Sequence, residues 1–301
     1  MLRLWSTAHY LFPLPAGHRF PIEKYAMMRD MVIAEGIATA RDVHDPALAS
    51  REDLLGAHTP GYIDAVMNGT LSAADQRRIG LPWSPQLAER SLRATGATCE
   101  AALHAVRSGI SMTLAGGTHH AFAGHGEGFC VFNDVVVATR MLQSRGLVRQ
   151  IAVIDLDVHQ GNGTHDLFRD DSTAFTFSMH GRNNYPFRKV AGSFDIELDD
   201  GIGDDEYLAA LANALPRVLS ESNPDLVFYL AGSDTHEGDR LGRMKLTFDG
   251  LSRRDVMVFE SCREIGVPVV AAVAGGYGRN IADTVRVHVN TARIAGRYAP
   301  S

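Results

Sequence analysis

One segment after a buried apolar run carries the residues best suited to bind a metal. Asp155, Asp157 and His159 alternate along it, and alternate residues of extended backbone share one face. Two carboxylates at the end of a buried strand are costly unless something compensates them, and a divalent cation is the simplest compensation. A catalytic zinc ion needs about three protein ligands and an open position for water. The alternative interpretation is a capping and ion-pair turn.

A second apolar run also ends in a carboxylate. Asp234 closes the sequence Leu-Ala-Gly-Ser-Asp. Taken alone, such an Asp is more typical of a turn or a helix N-cap. Ligands of open α/β sheets bind beyond the carboxyl ends of the strands, so Asp234 is the expected third ligand beside Asp157 and His159.

Two further loops carry groups that could do acid–base or electrostatic chemistry. His119 and His120 follow Gly-Gly-Thr, and they are either ligands, general acid–base groups or unrelated polar loop residues. Tyr277 lies in Gly-Gly-Tyr-Gly, where a phenol could donate to a developing oxyanion or be a half-buried aromatic on a turn. This glycine turn does not fit the G-x-G-x-x-G pattern of nucleotide sites.

The loop at 126–130, Gly-Glu-Gly-Phe-Cys, adds a possible pocket wall. Its glycines allow backbone to approach a ligand closely, and Phe129 could line the pocket. Cys130 has no evident basic partner, so we expect a small buried residue and not a nucleophile.

Short apolar runs alternate with helical patterns, which predicts an α/β fold with a mostly parallel sheet. The predicted strands are an opening strand near the N-terminus and Met112–Ala115, Ile151–Asp155, Ala174–Ser178, Leu226–Ala231 and Val267–Val273. The predicted helices are Gln86–Arg107, Asn133–Ser144, Asp204–Ser222, Leu251–Ile265 and Asn280–Ala295. No linker or repeat divides the chain, so residues 1–301 are expected to form one domain.

Composition excludes several classes of protein. The 301 residues are 45% hydrophobic and 21% charged, with a net charge of −6, which excludes disorder and argues against nucleic-acid binding by bulk electrostatics. Three separated cysteines suit a reducing compartment. No run approaches the length of a membrane span and no signal peptide is evident, so we expect a cytoplasmic protein with no membrane span.

Together these stretches resemble the histone deacetylase superfamily of zinc-dependent amidohydrolases. Six segments between residues 115 and 280 carry the resemblance: A-G-G-T-H-H-A-F, G-E-G-F-C-V-F-N-D, V-I-D-L-D-V-H-Q-G-N-G-T, F-S-M-H, Y-L-A-G-S-D-T-H-E-G-D-R-L-G and A-G-G-Y-G-R-N. The H-Q-G-N-G form, with Gln160 and Asn162, is similar to the class IV branch and its bacterial relatives. The resemblance implies a single-domain, three-layer arginase/deacetylase-type fold.

The resemblance implies a role for each matching residue. Asp157, His159 and Asp234 would hold one Zn²⁺, with Fe²⁺ as the alternative ion. His120, backed by Asn162, would be the general base and then the acid, while His119 and its partner Asp155 would support the site electrostatically. Tyr277 would stabilise the tetrahedral oxyanion.

The resemblance also implies substrate and potassium sites. The Gly128 carbonyl would accept a hydrogen bond from the substrate amide N–H, and Phe129 and Tyr185 would form the walls of a narrow channel. Gly275 and Gly276 would contact the substrate beside Tyr277. A structural K⁺ would lie near Asp155, Asp157, His159 and Ser178.

Two departures from class I members bear on activity. Asn162 stands where those members have Asp, so we expect His120 to titrate lower than it would beside a carboxylate. The region Gly80–Pro85 offers no rim aspartate to hold a peptide backbone, which weakens the expectation of histone specificity.

The leading prediction is a lysine deacylase acting on acetyl-lysine or longer fatty acyl-lysine in proteins or peptides. The alternative is a deacetylase of small acylated amines such as acetylpolyamines, for which Glu127, Glu237 and Asp239 could form an acidic rim. A catalytically silent binding module and a binuclear manganese hydrolase are the other classes considered. The sequence leaves the oligomeric state open.

Overall fold

The computed structural model describes residues 2–300, and its centre is a single eight-stranded sheet. The strands are β1 (Leu4–Trp5), β2 (Val43–His44), β3 (Ile110–Thr113), β4 (Ile151–Asp155), β5 (Ala174–Gly181), β6 (Phe194–Leu198), β7 (Leu226–Leu230) and β8 (Val269–Ala272). Their order is β2-β1-β3-β8-β7-β4-β5-β6, and all neighbouring strands are parallel. The predicted α/β fold with a parallel sheet is therefore confirmed.

Helices cover both faces of this sheet. They are α1 (Lys24–Ala34), α2 (Arg51–Leu55), α3 (Pro60–Asn68), α4 (Ala73–Ile79), α5 (Pro85–Ser108), α6 (Asp134–Ser144), α7 (Asn162–Leu167), α8 (Asp204–Ser222), α9 (Phe248–Glu264) and α10 (Ile281–Gly296). No helix within residues 2–300 is both long and apolar enough to cross a bilayer.

Two buried apolar clusters lie on opposite faces of the sheet. Ala152 and Ile154 of β4 belong to the cluster formed with α1, α8, α9 and α10. Ile151 and Val153 belong to the cluster formed with α3, α5 and α6. Successive strand residues point to opposite faces, so this division shows three layers, helix–sheet–helix, as expected.

The six predicted strands and five predicted helices are all present, with ends shifted by up to three residues. β2 was not predicted because two half-buried residues carry no pattern. β6 was missed because it is an edge strand whose residues are mostly half-buried. Helices α1 to α4 and α7 also escaped prediction. Of these, α1 and α4 contribute residues to the walls of the site.

The strand order explains how distant segments meet. β3, β8, β7 and β4 lie side by side at the centre of the sheet, although they are far apart in the chain. The loops that follow them begin at the same edge because the strands are parallel. These loops carry His119 and His120, Tyr277, Asp234, and Asp157 and His159.

Candidate active site

Asp157, His159 and Asp234 form a buried group whose possible ligand atoms lie within 4.8 Å of one another. His159 Nδ1 lies 3.0 Å from Asp157 Oδ1 and 3.1 Å from Asp234 Oδ2. Within residues 2–300 no other three His, Cys, Asp or Glu side chains lie close enough together to hold a metal ion. The three predicted ligands therefore meet.

The donor set suits a divalent cation. Burial and the neighbouring Asp157 charge raise the pKa of Asp234 to about 7, as crowded buried carboxylates do without a compensating charge. Two carboxylates and one imidazole match the ligands and number that a catalytic zinc site uses. The residues present therefore fit the metal that the resemblance implies.

The glycine turn after β8 seals one side of this group. Gly275 N–H donates to Asp157 Oδ2 at 2.7 Å. A Cβ at Gly275 would lie 2.1 Å from Asp234 Oδ2, so only glycine permits the backbone to approach the carboxylates this closely. Gly276, the other glycine predicted to contact substrate, follows directly and leads to Tyr277.

His119 and Asp155 form a charged pair beneath the candidate metal ligands. His119 Nδ1 donates to Asp155 Oδ2 at 2.7 Å, and both side chains are buried. Burial alone would lower the pKa of His119, but the Asp155 carboxylate raises it to about 9. His119 is therefore the protonated member of the histidine pair at neutral pH.

His120 is the neutral member. Burial lowers its pKa well below the ordinary value, and the charges of His119 and His159 act in the same direction. Its Nδ1 donates to Asn162 Oδ1 at 2.7 Å, which leaves Nε2 with its lone pair free to accept a proton. The two histidine rings lie 4.1 Å apart, yet their surroundings drive their pKa values in opposite directions, a pattern found at acid–base sites.

Glu127 holds the Asn162 amide in place. Asn162 Nδ2 donates to Glu127 Oε1 at 2.6 Å, so the amide oxygen must face His120. Glu127 is also hydrogen-bonded to the Tyr185 side chain. The sequence suggested Glu127 as a rim residue, but it is a largely buried partner of the pair behind His120. No sequence pattern indicated this role, because the direction of a loop side chain depends on tertiary packing.

Asp134 anchors the loop that carries the two histidines. Its Oδ2 accepts from Thr98 Oγ1 at 2.5 Å and from Gly117 N–H at 3.0 Å. Its Oδ1 accepts from the N–H and the hydroxyl of Thr118 at 2.8 and 2.6 Å. The sequence analysis did not predict this role for Asp134. The available signal was its position in the F-N-D segment.

Tyr277 is half-buried next to the candidate metal ligands. Burial raises the pKa of its phenol well above the ordinary value, and the charges of Asp157 and Asp234 add to that effect. The phenol therefore stays protonated and can donate a hydrogen bond. Lys24, which sequence patterns did not single out, is buried with Nζ 5.5 Å from the Tyr277 ring centre and donates to Gly276 O at 3.3 Å.

Gly128, Phe129 and Tyr185 form the predicted walls. Gly128 has φ +56°, and a Cβ there would lie 2.5 Å from His120 Cδ2. Phe129 has φ 67°, an unusual conformation for a residue with a side chain, and its N–H donates to Ile79 O at the end of α4 at 2.7 Å. Tyr185 packs edge-on to His120 at 5.0 Å. Cys130 is buried, as predicted, and burial raises its pKa.

Two cavities meet at this site. The outer one has a volume of about 610 Å³ and opens past Tyr185 and the exposed Phe187. The inner one has a volume of about 80 Å³ and extends toward Lys24 and Arg90. Both are lined by His120, Gly128, Phe129, His159 and Tyr277.

The residues predicted to hold potassium lie close together. Asp155 and Ser178 are partners in the β4–β5 register, and the N–H of Asp157 donates to Asp155 Oδ1 at 3.1 Å. The Ser178 hydroxyl lies 2.9 Å from His180 Nδ1. The potassium site stays a prediction.

Comparisons with known proteins agree with this geometry. A family model described as the histone deacetylase domain matches residues 18–292. A protein of Picosynechococcus sp. described as uncharacterized is 46% identical over 93% of each chain. Histone deacetylase 2 of Arabidopsis thaliana is 31% identical over 89% of this chain and 73% of its own. The crystal structure of an HDAC homolog from Aquifex aeolicus has a TM-score of 0.85 at 23% identity, covering 98% of this chain and 84% of that one.

Proposed function

Because the chain belongs to the histone deacetylase family, we propose that it hydrolyses the amide of acyl-lysine side chains, with a zinc ion as its cofactor. One observation carries the proposal: a neutral histidine, a protonated phenol and a buried Asp–His–Asp group all border the junction of two cavities. Amide hydrolysis needs an activated water, a polarised carbonyl and a proton for the leaving amine, and these groups suit those tasks.

Asp157, His159 and Asp234 would hold the zinc ion. When bound, the ion supplies Lewis acidity, which polarises the carbonyl and lowers the pKa of water. Fe²⁺ could bind the same donor set, and a structural K⁺ near Asp155 and Ser178 stays part of the proposal.

His120 takes the proton from the attacking water through Nε2 and then protonates the leaving amine. Its depressed pKa keeps the base form populated at neutral pH. His119 remains charged through Asp155 and thereby favours a developing negative charge nearby. Asn162 orients His120 through Nδ1.

Tyr277 donates from its phenol to the oxygen of the tetrahedral intermediate. Removing one such donor typically costs about 10²- to 10³-fold in kcat. Gly128 provides a carbonyl to the substrate amide, while Gly275 and Gly276 place the tyrosine.

The two cavities indicate where the acyl side and the amine side of the substrate amide would lie. The amine side belongs to a protein or peptide and must leave through the outer cavity, so the acyl group faces the inner one. An inner volume of about 80 Å³ holds a handful of water-sized groups. We therefore expect acetyl and other short acyl groups to be the preferred substrates.

The alternative, a small acetylated polyamine, is not favoured by any observation. Asp239 is buried and accepts from the N–H groups of Leu241, Gly242 and Tyr277, and Glu237 does not line the outer cavity. The acidic rim suggested for this substrate is therefore absent from residues 2–300. We keep a single domain and a cytoplasmic location as parts of the proposal.

The test is a rate comparison on one lysine peptide carrying acetyl, octanoyl or myristoyl groups, with Tyr277→Phe as the control. We expect the fastest hydrolysis of the acetyl peptide and a loss of about 10²-fold or more in kcat in the control. Rates that rise with chain length would contradict the short acyl pocket. Activity unaffected by Tyr277→Phe would contradict the mechanism.

A further inference from the structure

Five exposed arginines line the outer cavity, and we call them the arginine rim. They are Arg19, Arg77, Arg78, Arg240 and Arg243. Among the described residues that line this cavity there is no Asp or Glu. This local excess of positive charge stands out in a chain whose net charge is −6.

Much of this charge is not neutralised locally. Arg78 lies 3.5 Å from Asp75, and Arg243 lies 3.1 Å from Asp200. No ion pair joins Arg19, Arg77 or Arg240 to a carboxylate within residues 2–300. Arg240 instead donates from Nε to Tyr277 O at 3.0 Å. All five side chains belong to exposed residues, so their charges reach solvent at the entrance.

The rim is attached directly to the walls of the channel. Arg78 O accepts from Gly128 N–H at 3.2 Å, at the end of α4 beside Phe129. Arg240 contacts the loop of Tyr277. Groups on either side of an acylated lysine would therefore meet these arginines while the acyl group reaches the metal ligands.

We infer that this enzyme selects acyl-lysine flanked by acidic residues. This rests on the proposed function and names its substrate class. The arginines come from three separate segments, near residue 19, on α4 and at 240–243, so a single small anion would not meet them all. An extended peptide with several carboxylates would, and the exposed ring of Phe187, 86% accessible, offers it an apolar contact.

The test uses three acetyl-lysine peptides that differ only in their flanks: two Asp or Glu residues on each side, two Arg residues, or neutral Ser and Gln. Dissociation constants are measured by fluorescence anisotropy on Tyr277→Phe, and kcat/KM on the wild type. Exposed ion pairs contribute little each, about 1.5- to 5-fold. We therefore expect the acidic peptide to bind about tenfold or more better than the basic one at low salt. The ratio should fall toward one at about 0.5 M salt, where screening is strong.

Variants assign this preference to the rim. In the R19Q/R77Q double variant we expect the acidic preference to fall several-fold while the neutral peptide is hydrolysed within about twofold of the wild-type rate. Arg77→Glu should reduce the preference for the acidic peptide further. Arg253→Gln is the matched control, because Arg253 is an exposed arginine outside the cavity lining, and it should leave the preference unchanged.

The outcomes separate this inference from the proposed function. Equal affinities for acidic and basic peptides would overturn the inference, even if both were hydrolysed. Tighter binding of the acidic peptide without hydrolysis of any peptide would support the rim and contradict the proposed function. Free Nε-acetyl-lysine binding as tightly as the acidic peptide would overturn the peptide as the ligand.

Discussion

Asn162 orients His120 without placing a negative charge beside it, and replacing Asn162 with Asp tests the consequence directly. The new carboxylate would stand where the amide oxygen now lies 2.7 Å from His120 Nδ1. Opposite unit charges about 4 Å apart interact by about 4 kcal/mol at an effective dielectric constant near 20. Nearby carboxylates move such pKa values by about one to three units in practice. The acidic limb of kcat/KM should therefore move to higher pH, because His120 must be neutral to act as a base.

Glu127 limits this effect in the single variant. Its Oε1 is 2.6 Å from Asn162 Nδ2, so Asn162→Asp brings two carboxyl groups together, and such a pair holds one proton between them. We expect N162D alone to move the acidic limb by less than about one pH unit. In N162D/E127Q the glutamine amide can donate to the new carboxylate, and the limb should move by about one to three pH units.

The assay is the pH profile of kcat/KM for wild type, N162D, E127Q and N162D/E127Q, because kcat/KM reports groups of the free enzyme. The double-mutant cycle isolates the coupling between the two positions. Metal content and melting temperature serve as controls for intact protein. An equal shift in N162D and in N162D/E127Q would refute the role of Glu127. An acidic limb that moves in neither would show that it does not belong to His120.

Three further predictions concern the metal, the channel wall and acid stability. Removing metal with a chelator should abolish activity and lower the melting temperature, because an ion that binds the folded state stabilises it. Adding one Zn²⁺ per chain should restore both. An unchanged melting temperature would contradict a metal site at Asp157 and Asp234. Gly128→Ala should lower kcat/KM at least about tenfold with the fold retained, since its Cβ would lie 2.5 Å from His120 Cδ2; wild-type kinetics would contradict the close approach. Burial lowers the pKa of His58 to about 4, so between pH 6.5 and 4 the unfolded state binds the extra proton and stability falls as pH falls. About 2 kcal/mol of the loss from pH 7 to 5 should come from this residue, and a urea titration of His58→Gln should show a correspondingly flatter pH dependence.

The meeting of the three candidate metal ligands could be predicted because their signals are local. Asp157 and His159 follow a buried strand at alternate positions, and Asp234 follows another, so parallel strands alone bring them to one edge. The roles of His120 and Tyr277 came from resemblance, since a histidine in a loop has no pattern that distinguishes a base from a surface residue.

Features that depend on tertiary contacts could not be predicted. Glu127 points toward Asn162, and the sequence contains no rule for that direction. Arg19, Arg77 and Arg240 are separated by more than fifty residues in the chain, and only the folded mouth of the cavity unites them. The half-buried edge strand β6 lacked the apolar run that identified the central strands.

The position of β8 has a consequence for how the protein folds. This last strand lies between β3 and β7, so the middle of the sheet stays open until residues 269–272 are available. Until then Asp157 lacks the N–H of Gly275, and the loop that carries Tyr277, which follows β8, cannot join the site. Contacts between residues this far apart in the sequence form slowly. The strands made earlier therefore keep apolar edges exposed while synthesis continues. The same strand order that gathers the site from distant segments thus delays the appearance of activity until the segment from β8 to Tyr277 has been made.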